Sequence, residues 1–89
     1  MLVLPATVTH SCALAIAQAM KAGVGAQTAG VVMDASGLSR FDSSALAVML
    51  ACSREAAAVG KSFAVQGLPI KLGQLANLYG VAALIPAAA

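Results

Sequence analysis

Short apolar runs alternate along this chain with longer segments of helical periodicity, and this alternation restricts the fold more than any other feature. The apolar runs are residues 2–4, 31–35 ("VVMDA") and 62–66, and each precedes a segment with helical spacing. Because parallel strands must be joined by long crossovers, three strand–helix units predict an α/β fold with a largely parallel sheet and right-handed connections. The helices of an 89-residue chain cover mainly one face of such a sheet.

The first two helices are predicted from their end residues and their apolar spacing. Thr9 is a suitable N-cap for the first helix, and Gly23 stands where a helix end favours glycine. The apolar positions of this helix are Ala13, Ile16, Ala17 and Met20. Asp42 or Ser43 caps the second helix, which ends at Gly60. The face predicted to be buried consists of Leu46, Met49, Leu50 and Ser53.

The third helix and the end of the chain complete one predicted domain, residues 1–89, with its core over about 2–85. Pro69 fits the first turn of this helix and Gly80 ends it. The predicted buried stripe is Leu72 and Leu75, followed by either Leu78 or Tyr79. The segment "VAALI" then leads to residues 86–89, which are expected to form a frayed tail.

The composition bears on how the surface is used, because 61% of the residues are hydrophobic and only 9% are charged. An average soluble domain carries about 25% charged residues, so much of this exterior is apolar or uncharged. That favours a surface which binds another protein. The alternative is that the many alanines inflate the percentage, since an exposed methyl group adds little adhesion.

The basic and aromatic residues argue against nucleic acid as a partner. The basic residues are Lys21, Arg40, Arg54, Lys61 and Lys71, with a net charge of +2 for the chain. They are scattered, whereas phosphate-backbone binding uses a clustered basic stripe. Only three aromatic residues are available for base stacking, so we expect no nucleic-acid partner.

The cysteines and the N-terminal stretch indicate the compartment. Cys12 and Cys52 are forty positions apart with one histidine in the chain, so neither a zinc site nor a Cys-x-x-Cys motif is formed. Both are interpreted as small buried hydrophobes in a reducing compartment, although a disulfide between them remains open. The first residues lack a basic leader, and no run of eighteen apolar residues occurs. We therefore expect a cytoplasmic protein without a membrane span.

Catalytic arrangements are poorly supported by the motifs. Ser43, His10 and Asp42 contain the residue types of a triad, but no Gly-x-Ser-x-Gly turn surrounds the serine. "EAAAVGKS" resembles a phosphate loop, yet Glu55 stands where its first glycine is needed. His10 is interpreted as a polar residue at a helix start, and an enzyme using Cys52 or Ser43 as nucleophile needs a base that the sequence does not show. We predict a non-enzymatic protein without cofactor or metal.

Ser43, within "FDSSAL", admits two interpretations. A serine in the first turn of a helix lies near unsatisfied amides and the positive end of the dipole, where a phosphate is electrostatically tolerated and would reshape a docking surface. The other interpretation is that Ser43 and Ser44 only help to cap the helix.

The segment "VVMDASGLSRFDSSALAVMLACSREAAAVGKSFAVQGLP" resembles the centre of a STAS domain. The resemblance implies a four- or five-stranded, mostly parallel or mixed sheet with helices mainly on one face. In the anti-sigma-factor antagonists of this family a partner kinase phosphorylates the serine after the aspartate, which corresponds here to Ser43 beside Asp42. Ala45 stands where those antagonists carry glycine, and its methyl group is expected to hinder a kinase.

The C-terminal part is similar to the MlaB branch of the same family, in which a Leu-Ala-x-Leu-Tyr sequence occupies the third helix. The matching residues are Leu75, Ala76, Leu78 and Tyr79. This resemblance implies a non-catalytic subunit that binds the ATPase of an Mla-type ABC phospholipid transporter and is peripheral to the inner membrane through that partner. The contact is expected at Ser43, flanked by Asp42, Ser44 and Leu46, with Leu46 alternatively in the core. The competing function is an antagonist regulated by serine phosphorylation.

Overall fold

A parallel three-stranded sheet forms the centre of the computed structural model, which describes residues 2–27 and 30–87. The strands are β1 (Leu2–Val3), β2 (Thr7–Val8), β3 (Gly30–Asp34), β4 (Arg40–Phe41) and β5 (Ser62–Gln66). The sheet has the order β1–β3–β5, and β2 pairs in parallel with β4 as a separate two-stranded ribbon. The helices are α1 (Ala13–Val24), α2 (Ser44–Ala58) and α3 (Ile70–Leu78), followed by a 3-10 turn at Ala82–Leu84.

The α/β class and the parallel pairing are confirmed, but the main sheet has fewer strands than the four or five expected. Pro5 directs the chain out of the sheet after β1, and the next residues pair with β4 instead, where Thr7 lies opposite Arg40. The last described residues pair with β5. The Val65 N–H donates to the Pro86 carbonyl at 2.9 Å, and Ala87 forms a parallel bridge with Val65. The frayed tail was therefore predicted wrongly for residues 86–87, and residues 88–89 lie outside the described part.

The core lies between one face of the sheet and the helices. Side chains alternate along each strand, so that one face is buried and the other is partly exposed. The buried face carries Leu2, Val31, Met33, Phe63 and Val65. Helix α2 packs against β5, α1 and α3, which makes it the central helix of the layer. Its buried side chains are Ala45, Leu46, Val48, Met49, Cys52 and Ala56.

Helix α1 begins three residues later than the predicted Thr9 N-cap would require. Thr9 instead opens a turn, in which its carbonyl accepts the Cys12 N–H at 3.1 Å, and Cys12 occupies the N-cap position. The predicted apolar face is confirmed as a half-buried surface packed on the core; it consists of Ala13, Ile16, Ala17 and Met20. The helix continues through Gly23 to Val24, which is fully buried.

The buried side of α3 differs from the predicted stripe at its C-terminal end. Leu72 and Ala76 are buried and Leu75 is half-buried, whereas Leu78 and Tyr79 are 75% and 57% exposed. At 100° per residue Leu78 lies about 240° from Leu72, on the outer side of the helix. Position 79 would return to the core, but the helix has already ended and the chain turns at Gly80.

Lys61 closes the C-terminal end of α1. Its ammonium Nζ donates to the carbonyl oxygens of Val24 at 3.1 Å, Gly25 at 3.2 Å, and Gln27. Terminal carbonyls of a helix lack intrahelical donors, and a cation there also opposes the negative end of the helix dipole. Lys61, the lysine of the phosphate-loop-like segment, therefore has a structural role, because it links the end of α1 to the start of β5.

Replacing Lys61 by methionine is expected to lower the free energy of unfolding by about 1–2 kcal/mol, because three carbonyls lose a charged donor. Urea unfolding followed by circular dichroism measures the loss. Lys71→Met is the matched control, since Lys71 is exposed and makes no hydrogen bond within the described part of the chain. Equal losses of unfolding free energy in the two variants would contradict this structural role of Lys61.

Gly67 permits close packing between the loop after β3 and the loop after β5. Its φ is +68°, and a Cβ there would lie 2.6 Å from the Ser36 Cβ and 2.8 Å from the Ser36 Cα. Gly80 has a similar φ of +72°, but nothing lies within 4 Å of its Cβ position. Gly67→Ala therefore combines backbone strain with a backbone clash, whereas Gly80→Ala introduces strain alone.

We expect Gly80→Ala to lower the free energy of unfolding by about 1 kcal/mol and Gly67→Ala by about 3 kcal/mol. Urea titrations of both variants measure the difference. Indistinguishable losses would mean that the Ser36 loop moves away at no cost and that Gly67 is needed only for its φ.

Candidate functional site

The predicted site residues Asp42, Ser43 and Ser44 lie together where β4 leads into α2, and we refer to these three as the helix-start site. The pairing of β2 with β4 holds this junction, because Val8 lies opposite Phe41 and its carbonyl accepts the Asp42 N–H at 3.4 Å. Asp42 and Ser43 are exposed and Ser44 is half-buried. The site is therefore an accessible corner of the domain.

The Asp42 carboxylate ties this corner to the segment before α1. Oδ1 accepts the Ser44 N–H at 2.8 Å, and Oδ2 accepts the His10 N–H at 3.0 Å. Ser44 is the first residue of α2, so its N–H is one of the amides that lack an intrahelical acceptor. Of the two predicted caps, Ser43 occupies the N-cap position and Asp42 supplies the side-chain hydrogen bond.

The hydroxyl of Ser43 is directed to solvent without a partner in the described part of the chain. Ser43 makes no side-chain capping bond, although its backbone carbonyl accepts the Leu46 N–H at 3.1 Å. An exposed hydroxyl without an internal acceptor is free to bond an incoming group. It also lies at the positive end of the α2 dipole.

Two residues next to the site point inward, and for Leu46 this is the core position that the sequence offered as the alternative. Leu46 is only 2% exposed, so its side chain belongs to the core and does not flank a contact. Ala45 is fully buried, so its methyl group does not stand in front of Ser43 and does not block an approaching protein. Both positions face the helix layer because α2 packs against β5 and α1 on that side.

Hydrogen bonding lowers the pKa of Asp42 below its usual value, chiefly through the Ser44 N–H and then through the His10 N–H. The pKa of Asp34 is also lowered, first by the Ser36 hydroxyl at 2.6 Å and then by the Ser36 N–H at 2.9 Å. Asp34 thus bonds its own loop. Both carboxylates shape loops next to parallel strand ends.

The two cysteine thiols differ in their burial. Burial raises the pKa of Cys52 to about 11, so the thiol stays protonated and is a poor nucleophile. Cys12 is half-buried, which corrects the prediction that both cysteines are buried, and both thiols are free. Within residues 2–27 and 30–87 no three His, Cys, Asp or Glu side chains come together as a metal site requires. No helix in that same part is long and apolar enough to cross a bilayer.

Sequence reasoning missed two features around the site. The contact of the His10 amide with Asp42 spans 32 positions, and no local pattern signals it. The outer side of α2 was also missed, although its spacing was available: Ala47, Leu50 and Arg54 follow Ser43 at four, seven and eleven residues. Leu50, which is predicted on the buried face, is half-buried: it packs against the core and also borders this outer side.

Asp42→Asn is expected to be less stable than the natural protein at pH 7, because its amide has one acceptor oxygen and no negative charge. One of the two N–H groups that Asp42 accepts therefore loses its acceptor, and the other loses a charged one. A native pKa below the unfolded value of about 3.9 stabilises the fold above that value, and this contribution is lost as the pH falls through the native pKa. The stability difference should therefore narrow below about pH 4.

Urea unfolding at pH 7, 5 and 3 measures this difference. Glu55→Gln is the control, because the Glu55 carboxylate makes no hydrogen bond within the described residues. A difference for Asp42→Asn that stays constant from pH 7 to pH 3 would show that the charge of Asp42 does not stabilise the fold.

One of two comparisons with known proteins identifies the family of this chain. A family model described as "Mlab, STAS domain" matches residues 1–86, which is nearly the whole chain. A comparison with curated proteins gives no match. The matched range includes the three helices, the parallel sheet and the exposed serine at the start of α2. The chain therefore belongs to the STAS-domain family, in its MlaB-like form.

Proposed function

We propose that this STAS domain is a non-catalytic accessory subunit that binds the ATPase of an Mla-type ABC phospholipid transporter and supports its role in outer-membrane lipid asymmetry. The observation that carries the proposal is the exposed Ser43, whose hydroxyl has no partner in the described residues although its surroundings are held in place. The MlaB-like family match supports the choice of partner.

The helix-start site is already ordered in the free domain, and this favours docking because few of its groups have to be fixed on binding. The Asp42 carboxylate already fixes the first amide of α2 and the turn before α1. A preorganised surface loses less conformational entropy on association than a mobile one. In this function ATP hydrolysis belongs to the partner, and the domain lies on the cytoplasmic side, peripheral to the inner membrane through that partner.

The competing function, an anti-sigma-factor antagonist controlled by phosphorylation, is favoured by one observation. A kinase requires an exposed hydroxyl that is not bonded internally, and Ser43 has one. Intact-mass measurement of the protein from its native cells, with and without phosphatase, separates the two functions. A stoichiometric phosphate on Ser43 would favour the antagonist and count against the accessory subunit.

Ser43→Glu is expected to weaken binding to the transporter ATPase at least about tenfold, because a carboxylate would be buried without a designed partner. The variant should remain folded, since the Ser43 side chain makes no internal bond among the described residues. Co-purification and titration calorimetry with the ATPase measure the affinity, and urea unfolding checks the fold.

Ser62→Glu is the matched control, because Ser62 is an exposed serine at the start of β5, remote from the start of α2. It should bind the ATPase as the natural protein does. Undiminished binding by Ser43→Glu would show that the helix-start site is not the contact.

A further inference from the structure

The exposed side of α2 continues from the helix-start site as one stripe. At 100° per residue, Ala47, Leu50 and Arg54 lie within about 40° of Ser43 around the helix axis. None of the four is fully buried. With a rise of about 1.5 Å per residue, Arg54 is about 16 Å from Ser43 along the helix axis. A protein that covers Ser43 along this side therefore also reaches Arg54.

A shallow concave surface lies at the far end of this stripe, and we call it the Leu84 cup. It is lined by Leu50, Ser53, Arg54 and Leu84. Leu84 is 52% exposed, yet its backbone is held, because the Ser53 hydroxyl donates to the Leu84 carbonyl at 2.8 Å. The next residue, Ile85, is 4% exposed and anchors the segment in the core. The cup thus presents an exposed leucine on a fixed backbone.

The charge at the cup is not neutralised by the rest of the described chain. Arg54 is exposed and forms no ion pair or hydrogen bond with a described side chain. Asp34 and Asp42 are engaged in their own loops. Arg54 also borders a groove that contains Lys21 and Glu55, and no salt bridge joins any two of these three side chains among the described residues. An unpaired guanidinium therefore remains beside an apolar surface.

We propose that the Leu84 cup binds an apolar side chain of a protein partner with a carboxylate next to it, which pairs with Arg54. The apolar part matches Leu50 and Leu84, and the guanidinium provides the charge complement that selects an acidic segment over a basic one. The inference rests on the proposed function in one respect, since the partner at Ser43 is taken to be the same protein that continues along α2.

A peptide titration tests the chemistry of the cup without the ATPase. The ¹⁵N-labelled chain is titrated with acetyl-Ala-Leu-Glu-Ala-amide and with its glutamine analogue, and amide shifts are followed by NMR. We expect shifts at Arg54 and Leu84, with the glutamate peptide binding about two- to fivefold more tightly. Arg54→Gln, or high salt, should remove the difference between the two peptides.

Equal affinity for both peptides, or shifts that avoid the cup, would overturn the proposal. Vesicles of phosphatidylglycerol are tested in parallel, because an anionic lipid surface also attracts arginine. Binding to these vesicles that requires Arg54, with no discrimination between the peptides, would assign Arg54 to lipid and likewise overturn it.

Binding of the ATPase separates this inference from the proposed function. Arg54→Glu should weaken ATPase binding at least about tenfold by charge reversal, while Lys71→Glu, an exposed reversal on α3, should not. Loss in Ser43→Glu but not in Arg54→Glu would overturn the cup and leave the proposed function standing. Loss in Arg54→Glu but not in Ser43→Glu would support the cup and refute the helix-start contact.

Discussion

The Asp42 carboxylate joins two segments that lie 32 residues apart, and the geometry of the exposed corner depends on it. One oxygen holds the first amide of α2 and the other holds the turn that precedes α1. Both helices therefore start from positions related by a single side chain. Because Asp42 supplies the capping hydrogen bond, the Ser43 hydroxyl does not cap the helix and can bond an incoming group. The structural role of Asp42 thus leaves the Ser43 hydroxyl without an internal bond among the described residues.

Three of the eight charged side chains of this chain bond other groups of the same molecule. Asp34 and Asp42 bond loop amides, and Lys61 bonds three carbonyls at the end of α1. In a chain with 9% charged residues, this leaves an outer surface on which apolar groups stand beside isolated cations such as Arg54. Such a surface distinguishes partners by apolar fit and by the placement of a single carboxylate, since no extended electrostatic field is available.

Elements with strong local signals were predicted well, and those that depend on distant contacts were not. The strand over residues 62–66 follows from a short segment that contains Phe63 and Val65, and the end of α3 follows from Gly80. Leu78 was misassigned because spacing alone does not show which side of a short helix meets the core. Leu46 was left open between surface and core for the same reason, and the packing of α2 against α1 and β5 decided it.

The sequence by itself determined the α/β order, the parallel sheet and the Asp–Ser–Ser start of α2, because strand propensity, helical spacing and helix capping act within a few residues. Only the tertiary structure decided that Pro5 diverts the chain to pair with β4, that Lys61 closes α1, and that Leu84 is exposed next to Arg54. Each of these contacts joins residues more than twenty-five positions apart. The energies of these contacts depend on which surfaces the folded chain brings together. The local preferences of the residues do not predict which surfaces meet.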